Sequence, residues 1–245
     1  MIKKMLSRIF SIAGYRIIRI GRERERLMSE FSQEGALFRA SGMDIKISSV
    51  IDVGASDGRW SRMCRNYFPN ADYLLIEAQA KHEPGLIEYC RKNDNASFVL
   101  CAAGDRDGEL NFDSTALFGG LASEKPFKDN NIVVKSFRLD TLIENNNLSS
   151  PYFIKLDTHG FEIPILNGAE NILKNTNMLL IESYNFKISE NSLRFYELCS
   201  FLEKKGFLPI DLADLTRRKK DNSFWQVDIL FIKKDNSVFS SNTYN

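Results

Sequence analysis

The chain has 245 residues, 43% of them apolar, which is enough for one full hydrophobic core in a single large α/β domain. Its 33 Lys and Arg nearly cancel its 32 Asp and Glu, and a formal charge of +1 leaves no global field to draw it to nucleic acid. Cys64, Cys90, Cys101 and Cys199 are scattered without the paired spacing of a zinc site or redox dithiol, so a reducing, cytoplasmic setting is expected.

Residues 1–45 read as a helical, basic and amphipathic extension, 46–235 as the main domain and 236–245 as a tail. From Lys3 to Arg26 the extension mixes cations with Met5, Leu6, Ile9, Phe10, Tyr15, Ile17 and Ile18. No apolar run there reaches the roughly 20 residues of a membrane span, and no small-residue cleavage site follows, so a signal peptide is not expected. Such a helix packs its apolar face on the domain or a partner, or lies on an anionic membrane surface, which would place the protein at the inner face of the membrane. Residues 27–40 have helical spacing, and Ser41-Gly42-Met43-Asp44 ends it.

Strands and helices then alternate. Strand 50–54 leads to a helix over 58–67, strand 73–77 to a helix over 82–92, and strand 97–102 to the turn at 104–108 and the alternating 109–112. Residues 113–128 have no period and read as a loop long enough to be functional. Strands follow at 132–139 and 151–157, a helix at 163–174, a strand at 178–182, a helix at 192–205 ending at Gly206, and strands at 207–210 and 225–233. This alternation predicts a Rossmann-like α/β fold, a mostly parallel sheet with helices on both faces, binding its ligand at the carboxyl ends of the strands.

The chemistry gathers at those ends. In Val50-Ile51-Asp52-Val53-Gly54-Ala55-Ser56-Asp57-Gly58, an apolar strand runs into a turn of small residues, with Asp52 inside the strand, where a carboxylate is costly unless it holds something. A dinucleotide loop carries three glycines around a pyrophosphate. Here Asp57 stands where a phosphate would be crowded, which suits a cationic ligand such as S-adenosylmethionine, with Asp52, Gly54, Ala55 and Asp57 as its cradle. Glu77, about 20 residues on at the next strand end, is placed to accept from ribose hydroxyls. Ala102, Ala103 and Asp105 end the third strand near an adenine. An NAD-dependent oxidoreductase is the alternative, explaining Glu77 but not Asp57, and a non-catalytic binding subunit is another.

These residues, with Gly108-Glu109, Arg138-Leu139-Asp140 and the block Lys155-Leu156-Asp157-Thr158-His159-Gly160-Phe161-Glu162 followed by Leu166-Asn167-Gly168-Ala169, resemble the FkbM family of methyltransferases over roughly 48–233. The resemblance implies a seven-stranded sheet with the last strand antiparallel, S-adenosylmethionine as donor and a hydroxyl of a sugar or related small molecule as acceptor. Many members carry Glu at the position of His159. An imidazole there is a candidate base for the acceptor hydroxyl, with Asp157 and Glu182 as catalytic partners. Asp157, Glu162 and Glu182 with His159 also have the donor chemistry of a divalent-cation site, an alternative left open. Glu162, Tyr184 and Trp225 are expected on the substrate side with the 113–128 loop. The expected partner is a small-molecule or carbohydrate acceptor and not nucleic acid; no feature specifies an oligomeric state.

Overall fold

The computed structural model describes residues 23–190 and 192–244. The basic amphipathic segment as far as Arg22 therefore lies outside the described residues. Two helices, α1 (Glu23–Ser29) and α2 (Gln33–Ser41), replace the single helix expected over 27–40. Ser32 divides them: its backbone is extended, at φ −114°, and its hydroxyl accepts from the Gly35 amide at 3.0 Å, capping α2.

The main sheet is built from β1 (Ser49–Val53), β2 (Asp72–Glu77), β3 (Ala96–Leu100), β8 (Tyr152–Leu156), β9 (Thr176–Tyr184), β10 (Phe207–Arg217) and β11 (Phe224–Lys233). Its order is β10-β11-β9-β8-β1-β2-β3, with β9, β8, β1, β2 and β3 parallel and β11 antiparallel to both neighbours. This is a Rossmann-like arrangement, seven-stranded with the last strand antiparallel, as the alternation of elements and the family resemblance implied. Helices α3 (Arg59–Arg65), α4 (Glu83–Arg91), α5 (Leu139–Asn145), α6 (Glu162–Asn167), α7 (Glu170–Lys174) and α8 (Phe195–Lys204) fill the connections.

Alternation along each strand divides the core into two layers. Ile51, Val53, Ile76, Ile154, Leu156 and Ile181 pack on one face, and Val50, Leu75, Phe153, Leu180 and Leu230 on the other. The second face also carries Asp52, Glu77, Lys155, Glu182 and Asp228, each at an even step from an apolar residue of that layer. A row of charges therefore lies along the carboxyl edge beneath α2 and α3. Between β1 and β8 the chain order reverses, which opens the crevice where such sheets hold ligands.

Three elements depart from the expected order. β3 ends at Leu100, and after Cys101 β4 (Ala102–Ala103) joins β5 (Gly108–Asp113), β6 (Leu121–Ser123) and β7 (Asn131–Phe137) in a separate four-stranded sheet, β4-β7-β5-β6. The helix expected over 163–174 is broken at Gly168-Ala169 into α6 and α7. Finally, β10 continues from Ile210 to Arg217, because its pairing with β11 carries on past register shifts to Arg217 opposite Phe224. Among the described residues no helix is long and apolar enough to cross a membrane.

Candidate active site

A cavity of about 570 Å³ opens at the β1/β8 crevice, within the usual range for a cofactor site. Its two defining turns are left-handed. Gly54 (φ +73°) and Ser56 (φ +53°) follow β1, and His159 (φ +51°) and Gly160 (φ +98°) follow β8. A Cβ on Gly54 would lie 2.1 Å from the Asp157 carbonyl oxygen, so only glycine lets the turns meet. Non-glycine residues held at positive φ cost of order 1 kcal/mol or more each, and such strain concentrates at functional sites.

At one end Glu77 is buried, accepting the Ser56 amide at 2.7 Å on one oxygen and the Gln79 amide at 2.8 Å on the other. Each oxygen keeps lone-pair capacity for a hydroxyl donor. Ala78, Cys101, Ala102, Ala103 and Phe112 line an apolar slot beside it. Two buried polar atoms of the lining, Gln79 Oε1 and Trp60 Nε1, have no partner among the described residues. One is an acceptor suited to an amine and the other a donor suited to a carboxylate, and S-adenosylmethionine carries both groups. The residues present fit that cofactor.

Residues 116–118 of the 113–128 loop pack against this end, while Lys125 of the same loop pairs with Glu190, next to Ser189, which donates to the Gly160 carbonyl. Gln79 Nε2 donates to the Ala116 and Leu117 carbonyls at 3.2 Å, and His82 Nε2 meets the Leu117 carbonyl at 2.7 Å. Phe118 packs between the His82 ring and the Arg59 guanidinium, 4.3 Å away.

The opposite end is built on Glu182. Its Oε2 accepts from His159 Nδ1 at 2.8 Å and from the Tyr184 hydroxyl at 2.8 Å, and its Oε1 accepts from Gln226. His159 lines the cavity, and its Nε2 makes no hydrogen bond among the described residues. The Glu182 carboxylate thus orients Nδ1 of an imidazole that lines the cavity. Burial disfavours the charged ring, but the Glu182 hydrogen bond and the charges of Glu182, Asp157 and Glu162 outweigh it and raise the His159 pKa to about 9. At neutral pH the ring is a cation. Burial pushes the Asp157 carboxyl up, yet the Lys155 and His159 charges hold it below its ordinary value. Donor atoms of Asp157, His159 and Glu182 lie within 4.8 Å of one another, and hydrogen bonds account for the contacts of His159 and Glu182 in that cluster.

Lys155, to which the sequence assigned no role beyond its place in the 155–162 block, ties the two turns together. Its buried ammonium lies 2.9 Å from the Gly54 carbonyl, 3.1 Å from Asp52 and 3.4 Å from Asp157. Asp52 is fully buried and also accepts from Ser61 Oγ at 2.7 Å, so it holds Lys155 and α3 and does not reach the cavity. The other acid of the opening motif, Asp57, is likewise turned away, caught by Arg59 in a two-pronged ion pair at 2.9–3.0 Å, and only Arg59 reaches the lining. Short-range hydrogen bonding won over ligand approach. Asp105 faces solvent and Arg106. Glu162 is buried against Thr158 and the Gly160 amide, bracing the His159 turn from behind. Tyr184 stands behind His159, and Trp225 packs on Tyr184 outside the lining.

The description of a methyltransferase FkbM domain matches residues 52–209, well over half of the chain. The chain belongs to the FkbM methyltransferase family. A curated relative, the hexuronic acid methyltransferase AglP of Haloferax volcanii, is 23% identical over 138 residues, which is 54% of this chain and 54% of that protein. The chain thus spans about half the length of the relative it matches. The crystal structure of methyltransferase FkbM from Methylobacillus flagellatus KT superimposes with a TM-score of 0.53 at 17% identity, covering 84% of this chain and 50% of the other, a likeness of fold.

Within this FkbM-family fold, the Leu166-Asn167-Gly168-Ala169 block serves packing. A Cβ on Gly168 would lie 2.0 Å from the Gly104 carbonyl oxygen, where the turn after β4 crosses the α6–α7 junction. Two polar residues at the Glu182 end escaped the sequence reading. Asp228 pairs across the sheet with Glu182 and accepts from Gln33 of α2, which lines the cavity. Burial, then the neighbouring Glu182, Asp157 and Asp214, push its carboxyl up to about 7 against the Gln33 hydrogen bond. A carboxylate in the apolar run Val227-Asp228-Ile229-Leu230 was a signal like that of Asp52. For Gln33, far away in sequence, there was none.

Proposed function

We propose that this methyltransferase uses S-adenosylmethionine to methylate a hydroxyl of a sugar or related polyol. The observation that carries the reading is the pair of unlike ends of one cavity: a buried carboxylate, an apolar slot and the unpaired Gln79 Oε1 at Glu77, and an oriented imidazole at His159. The relative's hexuronic acid methyltransferase name agrees with a carbohydrate acceptor. The match to a methyltransferase family removes the support for the oxidoreductase alternative.

In this reading Glu77, Gln79, Trp60 and the Gly54–Ser56 turn hold the cofactor, which supplies an electrophilic methyl carbon. His159 Nε2 would take the acceptor's hydroxyl proton, and Glu182 would stabilise the resulting imidazolium through Nδ1. Asp157, kept ionised by Lys155, orients the hydroxyl. Holding donor and acceptor in line accounts for much of the acceleration, with proton removal adding roughly 10²–10⁴-fold.

Calorimetry with S-adenosylhomocysteine tests the donor side. Wild type should bind it, and Glu77→Ala should bind at least tenfold more weakly while keeping its circular dichroism spectrum. Equal affinities would reject Glu77 as a cofactor ligand. Turnover unaffected by a chelator is expected from the hydrogen-bonded character of the His159 cluster.

A further inference from the structure

Resting on the donor reading above, we infer that residues 116–120 are a gate over the Glu77 end of the cavity, latched by the buried His82 together with Gln79, and that S-adenosylmethionine and S-adenosylhomocysteine exchange by opening it. The gate is the tip of a hairpin. β5 and β6 pair as far as Asp113 opposite Leu121, and residues 114–120 between them belong to neither strand. Leu117, Phe118, Gly119 and Gly120 line the same cavity as Glu77, while Leu117 and Phe118 are also half exposed. Gly120 seats the tip against its neighbours: a Cβ there would lie 2.4 Å from the Phe112 ring and 2.8 Å from Gln79 Nε2.

Side chains, rather than strand pairing, hold this tip down. His82, buried just before α4, engages both of its ring nitrogens. Its Nε2 lies 2.7 Å from the Leu117 carbonyl, which can only accept, so that nitrogen carries a proton. Nδ1 lies 3.4 Å from Ser56 Oγ in the turn after β1. Gln79 is oriented by the same rule. The branch of its amide that meets the Ala116 and Leu117 carbonyls, at 3.2 Å from each, has to be the nitrogen, which makes Oε1 the other branch. That oxygen is buried, has no partner among the described residues and belongs to a side chain of the cavity wall. One amide thus holds the gate with its donor and offers its acceptor to the cofactor, whose N–H or O–H relieves a buried atom that is costly to leave unpaired.

Both routes from the gate end on Glu77. The Ser56 amide donates to one of its oxygens and the Gln79 amide to the other, so the two supports of that carboxylate belong to the residue His82 faces and to the residue that holds the gate. Phe118 closes the outside. Its ring lies 5.2 Å from the His82 ring and 4.3 Å from the Arg59 guanidinium, a cation over an aromatic face. Asp57 holds Arg59 in that place, which gives the acid that turns away from the cavity a part in fixing the gate. With both nitrogens occupied by protein atoms, His82 acts on the cofactor through the gate and is a positioning residue.

Surface plasmon resonance on the immobilised full chain, with S-adenosylhomocysteine as the probe, separates kon from koff. A latch slows entry and exit alike, so His82→Ala should raise both rates about tenfold, roughly the effect of one lost hydrogen bond, while Kd moves by less than about threefold. His82→Gln, which keeps a side-chain N–H able to reach the Leu117 carbonyl, should bring both rates back to within about threefold of wild type. Phe118→Ala removes a half-exposed ring and should also raise both rates, which provides the decision if His82→Ala does not fold. Gln79→Ala loses a cofactor contact along with a gate contact, so its koff should rise and its Kd weaken by about tenfold. No binding by wild type rejects the donor reading itself. Binding by wild type with rates that neither His82→Ala nor Phe118→Ala changes, or a His82→Ala variant whose Kd weakens about tenfold at unchanged kon, overturns the gate alone.

Discussion

His159 is held by Glu182 and strained at positive φ, and its position implies a pH profile. With the base form appearing only as pH passes about 9, kcat/KM should climb from pH 7 toward 9 and level above it. His159→Gln should lower turnover by roughly 10²–10⁴-fold and flatten the profile. A steady-state series in buffers of constant ionic strength checks both, and a wild-type profile already flat at pH 7 would exclude the imidazole as base. Lys155 is a stability residue as much as a site residue. Lys155→Met leaves Asp52 buried without its cation, and breaking such a pair costs about 3–5 kcal/mol. Urea denaturation should show that loss, with the cofactor-side turn loosened because the Gly54 carbonyl loses its donor.

Among the elements, the strands were the most legible. β1, β2, β8 and β9 announce themselves as β-branched and aliphatic runs because both of their faces are buried. Ser32, a cap within an apparent helix, and Gly168, a close approach within another, were harder, since each depends on a partner elsewhere in the chain. The Gly104–Gly168 crossing offers a direct check. Gly168→Ala places a methyl 2.0 Å from a backbone oxygen and should destabilise by about 1–3 kcal/mol in a thermal or urea melt. The second sheet was unreadable for a related reason: 108–113 and 131–137 have ordinary strand patterns, and nothing in either says that they pair with each other outside the main sheet.

For the whole molecule, the segregated charges make stability depend on pH. The folded His159 pKa of about 9 exceeds its ordinary 6.5, so its contribution is complete below about pH 6.5 and is lost as pH rises through 9. Asp228, raised to about 7 by burial, acts in the same direction at lower pH, because ionising it opposes folding from about pH 4 up through 7. Differential scanning should find a lower melting temperature at pH 9 than at pH 6.5, with a smaller difference in His159→Gln. The sequence alone determined the class of fold, the family, the strand-end position of Glu77 and the block carrying Asp157 and His159. Hydrophobic period and local turn chemistry are properties of neighbouring residues, and they are written in order along the chain. Only the tertiary structure decided that Asp57 turns to Arg59, that Asp52 and Lys155 form a buried brace, and that Gln33 and Asp228 complete the wall beside Glu182. Those outcomes rest on which side chain reaches a carboxylate first, and contacts across as many as 195 residues of chain have no local signature.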